Sequence, residues 1–200
     1  MSPATANDPK AVKILRAVRI LLAQNGYMGT TITLVAKNAG VSRGLLHYYF
    51  KNKDEMLATV IKENMAVSTR LIRKVFDTHH TAEDLAGGIA RLLQNVMEND
   101  PDFFHLFFEG FAVARHSRIV NKELSGLYGK FRKALENCLH DACRKQIITP
   151  DLPLPALAAI ITGIIDGMGL QLLTEPGLSD ETDIWRNMET AITDLLCGNR

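Results

Sequence analysis

The apolar residues of this chain recur at three- and four-residue intervals almost from end to end, and no stretch alternates cleanly over five or more positions. A period near 3.6 is the pattern of helices that bury one face, so an all-α fold is expected. With 46% of 200 residues apolar, the chain can fill a proper core. Its longest apolar run, Leu152 to Leu173, is interrupted by Pro153, Pro155, Asp166 and Gln171 and has no flanking Lys or Arg. A membrane span needs about 20 nearly uninterrupted apolar residues with basic anchors, so this run reads as a buried helix and no membrane partner is expected. The opening MSPATANDPK lacks the apolar stretch of a secretory signal. Cys138, Cys143 and Cys197 are odd in number and form no CxxC pair, which points to reduced thiols and a cytoplasmic setting.

Charge is unevenly distributed. Residues 1–63 hold nine Lys/Arg against four Asp/Glu, and residues 64–200 hold fourteen against eighteen. A basic N-terminal module is therefore expected in front of a mildly acidic remainder. Asp8 and Pro9 can start a first helix whose buried stripe is Ala11, Ile14, Leu15, Val18, Leu21 and Leu22, and Asn25-Gly26 ends it. Thr31 opens a short second helix that Gly40 breaks, and Ser42 caps a third. Asn52 with Glu55 has the pattern of a capping box and begins a fourth helix running toward Phe76. Further helices are expected over Thr81 to Glu98, Asp102 to Arg115, Asn121 to Gln146, Pro155 to Thr174 and Ser179 to Cys197, separated by turn-forming residues.

The third helix has an unusual outer side. At about 100° per residue, Leu46, Tyr49 and Phe50 share one face and can pack inward, while Gly44 and Tyr48 point the other way with Leu45 and His47 beside them. A solvated face is ordinarily rich in Lys and Glu; this one is built to touch something. Gly44 costs about 0.8–1 kcal/mol of helix propensity relative to Ala, and its missing side chain lets the helix axis come close to a surface. Arg43 can reach guanine or a phosphate, Leu45 can meet a thymine methyl, and Tyr48, Lys51 and Lys53 carry donors that phosphates accept. Helix, glycine break and short second helix form the helix-turn-helix arrangement.

The stretch TTITLVAKNAGVSRGLLHYYFKNKDEML resembles the N-terminal signature of the tetracycline-repressor (TetR) family, and the likeness covers about residues 10–65. It implies a three-helix helix-turn-helix DNA-binding domain over residues 1–52 and a C-terminal helical ligand-binding and dimerisation domain over 53–200. It further implies that Thr31 and Thr33 touch the DNA backbone, that residues 42–49 lie in the major groove, and that Lys53 anchors a phosphate. Ser42, Arg43, Gly44, Leu45, His47, Tyr48, Tyr49 and Lys51 complete that expected surface. His47 departs from the tyrosine most common in the family, which leaves base preference there open.

In the remainder, five of the eight phenylalanines fall between Phe103 and Phe111. Phe104, Phe107, Phe108 and Phe111 are either plain core or the wall of a cavity for a small, largely apolar effector, with Glu109 to orient it. Gly163 and Gly167 permit close helix approach. By resemblance they join Leu170, Trp185, Ile192 and Leu196 in a two-fold interface between copies, with burial in the core of the single chain as the alternative. Cys138, His140 and Cys143 crowd one helix at offsets that do not place three ligands on one side, so no metal and no cofactor are expected. No nucleophile motif, phosphate-cradling glycine loop or metallohydrolase motif emerges, and the chain does not read as an enzyme. The expected function is a dimeric DNA-binding regulator, a repressor released from a palindromic operator by its effector. The rival is a helical dimeric small-molecule binding or scaffold protein that does not read DNA.

Overall fold

The computed structural model describes residues 8–100 and 102–198, and the residues before Asp8, including most of the stretch read as lacking a secretory signal, lie outside that description. The described residues form α-helices and one short 3-10 helix, without a strand. In chain order they are α1 (Pro9–Gly29), α2 (Ile32–Ala39), α3 (Arg43–Tyr49), α4 (Lys53–Thr78), α5 (Ala82–Asn99), α6 (Asp102–Ala114), α7 (Arg118–Arg144), α8 (Leu154–Thr174) and α9 (Thr182–Cys197). The 3-10 helix, Pro176–Asp180, precedes α9.

The starts of these helices follow from single side chains. Asp8 accepts from the Lys10 amide, Thr31 from Leu34, Ser42 from Leu45 and Thr81 from Asp84, each at 2.9–3.1 Å. Each bond satisfies an amide that the helix itself cannot pair. Gly40 ends α2 in the left-handed conformation, φ 61° and ψ 41°, where a side chain would be strained. Asn52 Oδ1 accepts from the Glu55 amide at 2.9 Å, while the returning Glu55 carboxylate accepts from Lys51 N at 2.7 Å, one residue earlier than a standard capping box.

Several boundaries differ from expectation. The first helix is interrupted at Gly26 (φ 64°, ψ 179°) but resumes for a last turn to Gly29, where Thr30 is buried and donates to the carbonyls of Leu21 and Gly26. α7 begins three residues before Asn121, because Ser117 Oγ accepts from the Val120 amide. α9 begins after Ser179, because that residue belongs to the 3-10 turn and its carbonyl takes the Trp185 indole N–H at 2.9 Å.

The chain gathers into two compact units, Met1–Asn64 with His105–Leu127, and Met65–Phe104 with Tyr128–Arg200. α4, α6 and α7 each supply residues to both. In the first unit α1 packs on α2 and α2 on α3, around Ile14, Val18, Val35, Leu46 and Phe50. This unit reaches past the boundary expected after residue 52, since the first turns of α4 bury Met56, Leu57, Val60 and Ile61. In the second unit α5 packs on α8 and α9, burying Leu85, Ile89, Leu157, Ile161, Ile192 and Leu196.

Candidate nucleic-acid interface and body cavity

α3 presents the two faces that its spacing predicts. Leu46, Tyr49 and Phe50 are buried, whereas Ser42, Arg43, Gly44, His47 and Tyr48 are exposed and Leu45 is half-buried. Tyr48 is 77% exposed, a large ring held outward with its edge against Tyr49 at a centroid distance of 5.2 Å. An exposed aromatic of that size on a seven-residue helix buries little of its surface in the chain itself. A Cβ built on Gly44 meets nothing nearer than Ser42 Oγ at 3.9 Å, so nothing within the fold requires glycine there. Thr31, Thr33 and Lys51 are also exposed, as are Lys37 and Asn38 on α2, which pattern reading did not single out.

Two of the expected contact residues are committed inside the protein. Tyr49 is the first correction: its ring is 7% exposed and its hydroxyl donates to Asp8, so it holds α3 against the start of α1 rather than facing a groove. That bond and burial push the Tyr49 phenol up to about 12, and the bond, with the Lys10 amide, holds the Asp8 carboxyl below the usual range. Lys53 donates to the Tyr27 carbonyl at 2.7 Å and lies 4.0 Å from the centre of the Tyr27 ring. An ammonium has three donors, so two remain for a phosphate.

Tyr27 is held from every side. Its amide donates to Glu109 Oε1 at 2.6 Å, and its hydroxyl donates to Asp54 Oδ1. The other Asp54 oxygen accepts from Ser117 Oγ at 2.6 Å. Burial and the Asp54 carboxylate push the Tyr27 phenol up to about 12. Glu109, expected to orient an effector, is thereby bound to the bend after Gly26. Its partner is 82 residues away, a distance at which spacing carries no signal.

In the second unit an apolar cavity of about 50 Å³ is lined by Ile72, Ile89, Phe103, Phe104, Phe131 and Ile165 among others, with Ser68 as its polar contribution. Of the four phenylalanines expected to wall an effector site, Phe104 lines this cavity. Phe107, Phe108 and Phe111 belong to the first unit, where Phe107 is buried with its ring edge-on to Phe108 and Phe111, and Phe111 is 43% exposed. Near the cavity-lining Phe131 and Ile165 in sequence, Tyr128 donates to Asp166 at 2.6 Å. Asp166 is the one charged residue of α8, and burial pushes its carboxyl above the usual range against the opposing pull of Tyr128.

The residues expected at a two-fold interface divide. Trp185, Ile192 and Leu196 are buried within the chain, on a helix that packs against α5 and the 3-10 helix, and are corrected to core. Gly163 and Leu170 are exposed and Gly167 is half-buried, and a Cβ on either glycine meets nothing within 4 Å. The close helix contact falls instead at Gly169, where a Cβ would lie 2.4 Å from Phe104 Cε1. α8 is long and apolar enough to cross a membrane, yet only 33% of its most apolar window is buried, so the buried helix expected here is buried on one side alone.

A capped helix, a left-handed glycine turn and a short second helix with an outward polar and aromatic arc make residues 31–50 a helix-turn-helix domain of the DNA-binding class. Residues 14–60 match the family described as bacterial regulatory proteins, tetR family. The fatty acid metabolism regulator protein of Bacillus subtilis (strain 168) is 40% identical over 57 residues, 28% of this chain and 29% of that one, so the chain aligns with under a third of that relative's length. Over nearly the whole chain the likeness is one of fold. Salmonella enterica GusR superposes with a TM-score of 0.80 at 21% identity, covering 96% of this chain and 97% of that one. The transcriptional regulator FadR from Bacillus subtilis, in complex with stearoyl-CoA, gives a TM-score of 0.73 at 19% identity, covering 94% and 99%.

Proposed function

We propose that this chain is a dimeric, cytoplasmic transcriptional repressor whose helix-turn-helix head reads a palindromic operator in double-stranded DNA and is released by a small, largely apolar effector. Residues 1–52 supply the reading head, and residues 53–200 supply effector binding and dimerisation. The observation that carries this reading is the outward arc of α3, where Arg43, Gly44, His47 and Tyr48 are exposed around a core-facing Leu46. Arg43 and Tyr48 provide donors for base edges and phosphates, and Gly44 allows the axis to sit deep in the groove.

Dimerisation is assigned to the exposed apolar side of α8, with Ile160, Gly163, Gly167 and Leu170 at three- and four-residue spacing. A second copy there would cover the face that the chain leaves open, and no membrane is invoked, since Asp166 places a carboxyl in the middle of the apolar run. Two α3 helices about 34–36 Å apart would then meet successive major grooves. The effector is assigned to the phenylalanine-lined cavity, a reading supported by the acyl chain that the related FadR holds. At about 50 Å³ the cavity is far below the roughly 300 Å³ of even a small ligand site, so binding has to part its walls. α4 lines that cavity with Ser68, Leu71 and Ile72 and begins at Lys53 in the other unit, which makes it the lever. A coupling of about 1–3 kcal/mol suffices to empty most operators.

The test is a salt titration of binding to a selected palindrome and to random duplex. Six or more phosphate contacts predict a loss of about 10³-fold or greater between 50 and 200 mM salt, with the palindrome preferred by orders of magnitude. Binding that is indifferent to salt and to sequence contradicts the reading.

A further inference from the structure

Away from α3, the first compact unit carries a second cationic feature. A polar cleft of about 380 Å³ opens at the turn between α6 and α7, lined by Arg115, His116, Ser117, Arg118, Asn121 and Lys122. Ala114 completes the lining; every other lining side chain can donate a hydrogen bond, and no acidic residue lines the cleft. The sequence has no Asp or Glu from Gly110 to Lys122. Arg115, Arg118 and Lys122 are exposed and form no hydrogen bond or ion pair with another described side chain. α7 is 27 residues long and has no acid in its first turn, so its cations sit at the end of the helix dipole that repels them. An arrangement that costs free energy in the empty protein is one that a bound anion offsets.

The floor of the cleft is wired to the head. Ser117 Oγ accepts from the Val120 amide and donates its proton to Asp54, whose other oxygen takes the Tyr27 hydroxyl. A serine hydroxyl has one proton, which serves Asp54 or a ligand in the cleft but not both at once.

We propose that the cleft at the α6–α7 turn is a phosphate-binding site, and that its occupant is coupled to the DNA-binding head by taking the Ser117 hydroxyl proton away from Asp54. The guanidiniums of Arg115 and Arg118 hold the phosphate oxygens, with Asn121 and Lys122 completing the donor set. The site lies outside both α3 and the apolar cavity, so it stands or falls independently of the effector assignment. The phosphate belongs either to a small phosphorylated ligand or to the DNA backbone, and the experiment separates the two.

Pyrophosphate is titrated into the full-length chain without DNA by calorimetry. The expected result is saturable binding that weakens at least tenfold in Arg115→Ala/Arg118→Ala and is unchanged in Arg43→Ala, with the thermal midpoint of the double variant preserved. Pyrophosphate should also lower operator affinity several-fold in the wild type and not in Ser117→Ala, which keeps the cations but not the proton. Persistence of that effect in Ser117→Ala overturns the coupling. If pyrophosphate does not bind but the double variant loses operator affinity with a flatter salt dependence, the phosphate is that of DNA and a small ligand is overturned. Pyrophosphate binding that the double variant leaves intact, or no binding with operator affinity unchanged, overturns the site.

Discussion

Gly44 separates the demands of folding from those of recognition. Because a methyl at this position meets only Ser42 Oγ at ordinary contact distance, Gly44→Ala should leave the thermal midpoint unchanged or raise it, in line with the roughly 1 kcal/mol by which Ala exceeds Gly in a helix. Operator affinity should nevertheless fall, and a variant that is both stable and fully active would show that α3 does not approach DNA by its glycine face. Asp166 ties stability to pH. A carboxyl whose pKa is raised by burial holds its proton more tightly folded than unfolded. Its stabilising contribution is complete below about pH 4, the ordinary Asp range, and is lost as pH rises through the raised value. Asp166→Asn should therefore flatten stability against pH above that point and exceed the wild type near neutrality, read as urea midpoints at one protein concentration. Parallel curves would contradict it. At this scale the sequence revealed which α3 side chains point outward, because a single helix obeys its own period. It did not reveal that Tyr49 bonds to Asp8 or that Glu109 and Ser117 serve Tyr27 and Asp54, since those partners meet only after the chain has folded.

Among the elements, α8 is the one whose surroundings within a single chain do not explain its composition. Ile160 and Leu170 are 41% and 47% exposed, so replacing either by a charge removes little core packing. Leu170→Asp should leave helical content and midpoint nearly unchanged at low protein concentration while shifting the sedimentation of the chain from dimer to monomer. A monomeric wild type, or a dimeric variant, would move the interface elsewhere. Helix starts were legible wherever a capping residue stood in front, as at Asp8, Thr31, Ser42 and Thr81. They were misjudged where the cap was hidden by its neighbours, as at Ser117, or where a 3-10 turn intervened before α9. Apolar period alone also could not tell which helices α8 and α9 meet. Trp185, Ile192 and Leu196 carry the same spacing whether they face the chain's own core or a second copy, and the core takes them.

For the whole molecule, one surface shaped for duplex DNA is the proposed centre of function, with effector response and pairing arranged around it. The basic head and the acidic remainder were visible in the distribution of charge, and the family in the motif between Thr31 and Leu57. The direct test is operator binding by Arg43→Ala/Tyr48→Ala, two exposed substitutions that leave Leu46 and Phe50 in place. The double variant is expected to fold and dimerise as the wild type does, to lose about tenfold or more in affinity for a selected palindrome, and to prefer it less over random duplex. A folded double variant that binds the palindrome as tightly and as selectively as the wild type would contradict the account.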